Sequence, residues 1–177
     1  MNQLNGYDVE DLRVGMSASF SKTITEADLV LFAGVSGDNN AMHVNEEFAA
    51  ATPFGGRIAH GMLTASVISA AIANKMPGPG TIYLGQNLRF RAPVRPGETV
   101  HATVTVTEIV VDRRRVTLST ICRVGGKVVV EGDALVMTTT SQSGEAVPDC
   151  NKLVWLFEVQ PVRGLCPTSQ LIKVTAR

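Results

Sequence analysis

Residues 61–76 read GMLTASVISAAIANKM, and Pro77-Gly78-Pro79-Gly80 stops them firmly. The run is almost wholly apolar, and Thr64, Ser66 and Ser69 are small polar residues. A helix that is apolar on every side belongs inside a core. Its 16 residues span about 24 Å at 1.5 Å per residue. Everything from there to residue 140 is strand-like. Ile82, Leu84, Leu88 and Phe90 alternate with Tyr83, Gly85, Asn87 and Arg89. Residues 99–111 alternate again, with Val100, Ala102, Val104 and Val106 on one face and Thr103, Thr105 and Thr107 on the other. Residues 116–124 and 127–138 are two more strands, joined by the hairpin signal Gly125-Gly126. Gly132 reads as a bulge. Strands linked by short turns are antiparallel. The fold class is therefore α+β, one long buried helix wrapped by a curved antiparallel sheet.

Upstream of that helix, residues 17–23 (SASFSKT) read as a first strand. Thr25 is a helix N-cap with Asp28 three residues on, an acidic variant of the capping box. Leu29, Phe32 and Ala33 follow at helical spacing, and Gly34 and Gly37 end the segment. Asn45 caps a short turn through Phe48, and Thr52-Pro53-Phe54-Gly55-Gly56 is a loop. The element order is β-α-α-β-β-β-β. Residues 1–140 make one domain. Residues 141–177 form a C-terminal extension of undefined structure, linker-like at SQSGEAVPD and then without sustained period. They suit a docked extension, a disordered tail or sequence foreign to the domain.

The chain of 177 residues is 45% hydrophobic and 18% charged, enough for a real core. Lys+Arg and Asp+Glu both number 16, which gives no general pull towards nucleic acid or an anionic membrane. The N-terminus lacks a signal-peptide pattern, and no apolar run reaches the roughly 18 residues of a membrane span. Cys122, Cys150 and Cys166 show neither CxxC spacing nor a disulfide framework, so a reducing, cytoplasmic setting is expected.

The chemistry concentrates at Gly37-Asp38-Asn39-Asn40-Ala41-Met42-His43, an acid and a histidine five positions apart in a loop. The apolar helix opens nearby in sequence at His60-Gly61. An ionisable pair moves protons, and a helix N-terminus holds developing negative charge on a carbonyl oxygen. The combination suggests acid/base work on a carbonyl or thioester. Asp38 alone reads equally as a turn residue and His43 as a loop histidine packed on Phe48. Ser66 is no serine nucleophile, since G-x-S-x-G is absent. Gly78-Pro79-Gly80 is no dinucleotide fingerprint. Asp38, His43 and His60 lack any standard metal spacing, so no metal is expected.

Residues 38–43 resemble the D-x-N-P-L-H motif of the MaoC-like, R-specific enoyl-CoA hydratases, which have a hot-dog fold. Residues 58–66 (IAHGMLTAS) resemble that family's start of the central helix. Residues 77–86 (PGPGTIYLGQ) and 89–97 (RFRAPVRPG) resemble its following strands and turn. The match covers about residues 10 to 138 in the family's order and is closest to the short hydratases that feed polyhydroxyalkanoate synthesis. Ala41 stands where the motif has proline, Met42 where it has leucine, and residues beyond 140 have no counterpart.

The resemblance implies reversible hydration of trans-2-enoyl-CoA to (R)-3-hydroxyacyl-CoA, with coenzyme A part of the substrate and no cofactor. Asp38 and His43 are then the catalytic acid/base pair, and which of them takes the proton stays open. The Gly61 amide is the oxyanion donor. On the substrate side, Asn40 braces the loop and Ser66 lines the acyl pocket. His60 hydrogen-bonds the loop or shapes the helix start with its backbone. His101 reads as structural. Arg89, Arg91, Arg95 and Arg113 to Arg115 read as solvated charges, a minority of them meeting coenzyme A phosphates. A homodimer is expected, because one sheet around one helix leaves an open edge and an apolar face. Two rivals share the fold, a hot-dog thioesterase and a non-catalytic acyl-CoA binding module.

Overall fold

The strand runs pair as their short turns require. The computed structural model describes residues 6–141, so the extension from 142 onwards lies outside the described residues. The elements are β1 (Ser17–Thr23), α1 (Glu26–Ser36), α2 (Ala41–Val44), α3 (Glu46–Ala50), α4 (Gly61–Asn74), β2 (Ile82–Phe90), β3 (Thr99–Val110), β4 (Arg115–Val124) and β5 (Lys127–Met137). The strands form one sheet in the order β1-β3-β4-β5-β2, antiparallel throughout. With α4 packed on β1, β3 and β4, this is the hot-dog arrangement.

Alternation sets the faces. Val100, Ala102, Val104 and Val106 of β3 and Val116, Leu118 and Cys122 of β4 point inward and pack in one core with Leu63, Val67, Ile68, Ala71 and Ile72 of α4. Each such Val, Leu or Ile side chain stabilises the fold by about 1.5–3 kcal/mol. On the opposite face, register is pinned by a row of cross-strand pairs: Ser17–Thr105 at 3.1 Å, Ser19–Thr103 at 2.9 Å, Ser21–His101 at 2.7 Å and Thr23–Thr99 at 2.8 Å. His101 thus sits in a sheet contact.

Three expectations change. First, α4 is not covered all round. Met62, Ser66, Ser69 and Ala73 lie one or two turns apart on a single exposed stripe, because the sheet covers the helix from one side only. The helix also ends at Asn74, two residues short of Met76: Lys75 leaves helical geometry, and the residue before Pro77 disfavours it. Second, Gly132 is no bulge. It pairs in register with Leu88 and Thr120, and the register shifts fall at Tyr83/Gly85, Val106/Glu108 and Cys122/Arg123. The glycine is required because an added Cβ would stand 1.9 Å from the Asn87 carbonyl oxygen, so β2 and β5 approach too closely for a side chain. Third, a short helix, α2, forms where the sequence reads as a loop around His43.

The Thr25 capping box closes as the spacing predicts. Thr25 Oγ1 accepts from the Asp28 amide at 3.2 Å, and Asp28 Oδ2 accepts from the Thr25 amide at 2.8 Å. Partial burial disfavours the Asp28 charge, but the Thr25 donors and the Lys22 ammonium outweigh it and hold the carboxyl below its ordinary range. A pKa lowered by folding stabilises at neutral pH and is lost as pH falls through the folded value. Thr25→Ala is accordingly expected to cost about 1 kcal/mol at pH 7, read as a drop in Tm. The loss should narrow in acid, where Asp28 is protonated in either protein. Among the described residues no helix is long and apolar enough to cross a membrane.

Candidate active site

α1 delivers the acid. Gly37 stops the helix in the left-handed region at φ 76°, its amide donating to the Ala33 carbonyl at 2.9 Å. The Ser36 hydroxyl donates to the Phe32 carbonyl and accepts from the Asp38 amide at 3.2 Å. Asp38 folds the next turn itself, its Oδ1 accepting from the Asn40 amide at 3.2 Å, and its side chain stays exposed. Asn40 Oδ1 accepts from the Met42 amide at 3.1 Å and so caps α2. Ala41 takes the first helical position, one that suits proline and equally alanine. His43 follows on α2.

His43 is buried, and its Nδ1 lies 2.8 Å from the Ile58 carbonyl. A carbonyl only accepts, so Nδ1 carries the proton and Nε2 keeps a lone pair. The His60 ring is 1% exposed and lies between Phe32 and His43, with ring centroids at 5.0 and 3.9 Å. Its Nε2–H donates to the Asp38 carbonyl at 3.0 Å. A carboxylate oxygen of Asp38 and one nitrogen from each histidine lie within 4.8 Å of one another. Two groups that far apart are spanned by one water hydrogen-bonded to each at about 2.8 Å. Among the described residues, this trio is also the grouping with metal-ligand chemistry.

His43 borders a cavity of about 300 Å³, lined also by Phe54, Gly61, Thr64, Phe90 and Val94 among others. Gly61 is the first residue of α4, so its N–H belongs to the set that a helix cannot satisfy internally. A Cβ on Gly61 would stand 2.9 Å from the Phe90 ring, so a side chain there would crowd this cavity. Ser66 is placed elsewhere. It lies on the exposed stripe and donates to its own helix at the Leu63 carbonyl at 2.6 Å; the α4 side chain lining the cavity is Thr64. A larger open groove of about 600 Å³ on β2, β4 and β5 holds no histidine.

Several arginines are spent within the chain. Arg91 pairs with Glu131 at 2.5 Å, and Arg95 donates to the Phe54 carbonyl. Arg57, which carries no signal in the sequence, ties Glu26 to Glu46 at 2.8 and 2.9 Å and so joins α1 to α3 around the site. Phe54, Thr64, Phe90 and Val94 also escape a reading of the sequence. Apolar residues in loops and strands, and a lone threonine on an apolar helix, carry no chemical signal until the fold brings them together.

Residues 12–132 match the MaoC like domain. An (R)-specific enoyl-CoA hydratase of Rhodospirillum rubrum is 57% identical over 128 residues, covering 72% of this chain and 89% of the relative. A 3-hydroxybutyryl-CoA dehydratase of Methylorubrum extorquens is 47% identical over 136 residues, covering 77% and 87%. The solved unliganded R-hydratase from Pseudomonas aeruginosa superposes with a TM-score of 0.74 at 43% identity, covering 82% of this chain and 96% of that one. With the matched domain spanning the acid, the histidine and the central helix, this chain belongs to the MaoC-like family.

Proposed function

We propose that this protein is an enoyl-CoA hydratase, adding water across C2=C3 of trans-2-enoyl-CoA to give (R)-3-hydroxyacyl-CoA and running the reverse dehydration. The observation that carries the reading is the Asp38 carboxylate within 4.8 Å of a ring nitrogen of His43, beside a cavity that His43 and Gly61 both line. Water held by Asp38 and His43 attacks C3 and gives up one proton to the pair. Electrons move from the double bond towards the thioester oxygen, where the Gly61 N–H donates; one such donor is worth roughly 3 kcal/mol. The pair returns the proton to C2, so one H and one OH are added in all. Asn40 fixes the spacing by capping α2. No cofactor enters, since coenzyme A arrives with the substrate.

Residues 1–140 carry this activity in our reading, and the free buried Cys122 suits a reducing cytoplasm. The test is the purified protein with crotonyl-CoA. Loss of the enoyl thioester absorbance with formation of the R alcohol supports hydration. Release of free thiol from saturated acyl-CoA supports the thioesterase, and binding without turnover supports the binding module.

The same reading includes a homodimer. The α4 stripe at Met62, Ser66, Ser69 and Ala73 is exposed, and the neighbouring edge strand β2 exposes Ile82, Tyr83 and Phe90. Small residues on the helix let a second copy approach closely, and the apolar side chains favour covering. Light scattering at micromolar concentration is expected to give twice the chain mass. A clean monomer overturns it.

A further inference from the structure

We infer that His60 is a positioning residue that couples the proton-transfer pair to the oxyanion donor, an inference that rests on the hydration reading. Its ring is 1% exposed, which leaves no surface for substrate. Its one polar contact from the ring is Nε2–H to the backbone carbonyl of Asp38, 22 residues back in the chain. The other nitrogen, Nδ1, is buried with no hydrogen-bond partner. A buried orphan of this kind is costly and asks for an explanation. The explanation is the neutral tautomer: with its proton committed to the Asp38 carbonyl on Nε2, the ring leaves a bare lone pair on Nδ1 at the N-cap of α4. His60 is the N-cap residue of α4, and its side chain makes no capping bond to the helix.

Three parts of the site meet on this ring. Phe32 packs on it from α1, His43 faces it from α2 at 3.9 Å, and its own backbone is the residue before Gly61. The carbonyl of His60 also accepts the Thr64 amide at 3.1 Å, which starts the α4 ladder. Moving the ring therefore moves Asp38, His43 and the Gly61 amide relative to one another. Misplacement by about 1 Å far from the reacting atoms is enough to cost about a hundredfold in rate. A residue that acts this way changes kcat and leaves substrate binding alone.

Three measurements on the full chain test this. In protein labelled with nitrogen-15 at histidine, His60 is expected as the Nε2–H tautomer and His43 as Nδ1–H. His60→Leu keeps the bulk and loses the donor; it is expected to lower kcat by about a hundredfold with KM within about threefold. His60→Gln keeps an N–H near the position of Nε2 and should recover most of that loss, to within about tenfold of the wild type. If His60→Leu does not fold, His60→Asn, too short to reach the Asp38 carbonyl, takes its place. A proton on Nδ1 of His60, unchanged kcat in the variant without the donor, a loss appearing in KM, or failure of His60→Gln to rescue would each overturn the inference. Should the wild type show no hydration, the proposed activity fails and the backbone amide shifts of Asn39 and Asn40 decide the positioning role. Shifts that move in His60→Leu and return in His60→Gln support it, and shifts that stay fixed overturn it.

Discussion

Asp38→Asn and His43→Gln are each expected to lower hydration of crotonyl-CoA by about a hundred- to ten-thousandfold, the usual weight of a positioned acid or base. Both leave Tm nearly unchanged. In Asp38→Asn the new side chain keeps an oxygen to accept from the Asn40 amide, and Asp38 is exposed, so no buried charge is disturbed. In His43→Gln the new side chain keeps the size and some hydrogen-bonding capacity but has no nitrogen lone pair to take a proton. The double variant is expected to be barely worse than either single one, because in the proposed mechanism both groups act on one water. Steady-state rates of the three variants against the wild type are the check. Wild-type rates in both single variants would remove the site from Asp38 and His43 and leave the binding module as the better reading.

The second large effect is structural. Gly132→Ala puts a methyl 1.9 Å from the Asn87 carbonyl oxygen and 2.8 Å from its carbon. Both are backbone atoms, so no rotamer relieves the overlap, and β2 must move away from β5. Overpacking of this kind costs about 3 kcal/mol or more, and for a domain this size Tm falls by about ten degrees. Gly85→Ala is the control on the same edge strand, since nothing lies within 4 Å of a Cβ there. Equal unfolding midpoints for the two variants would show that β2 yields freely. Strand β2 also ends in Phe90 over Gly61, so a displaced edge is expected to lower turnover as well.

The elements with strong period or strong punctuation are legible in the sequence. The alternation of β3 sets its inward face, Gly125-Gly126 marks a hairpin, and Thr25 with Asp28 marks the start of α1. The strand bounds at Ser17–Thr23 and Ile82–Phe90 follow from the sequence pattern directly. What escapes depends on neighbours in space. A glycine within a strand reads as a bulge, yet Gly132 answers to the backbone of Asn87 across the ladder. The apolar run of α4 gives no face, so its exposed stripe appears only once the sheet is laid on one side. Asn40 before Ala41 and Met42 is a legible cap signal for α2, but four residues of helix lie below what periodicity detects. Asp38 and His43 stand out because their types and spacing carry chemistry. Their common contact with His60 needs the fold.

Cys122 has a further consequence. Its sulfur lies in the core at 0% exposure, and burial pushes the thiol up to about 11. The thiolate is the reactive form, so in native buffer this sulfur is chemically silent while β4 stays paired on both sides. Alkylation at Cys122 then counts excursions in which the sheet has parted, and the domain carries its own clock for them. A ligand held only by the closed form slows that clock by the factor 1 + [L]/Kd. Acyl-CoA affinity becomes readable from the mass of one peptide, even in a variant that no longer turns over.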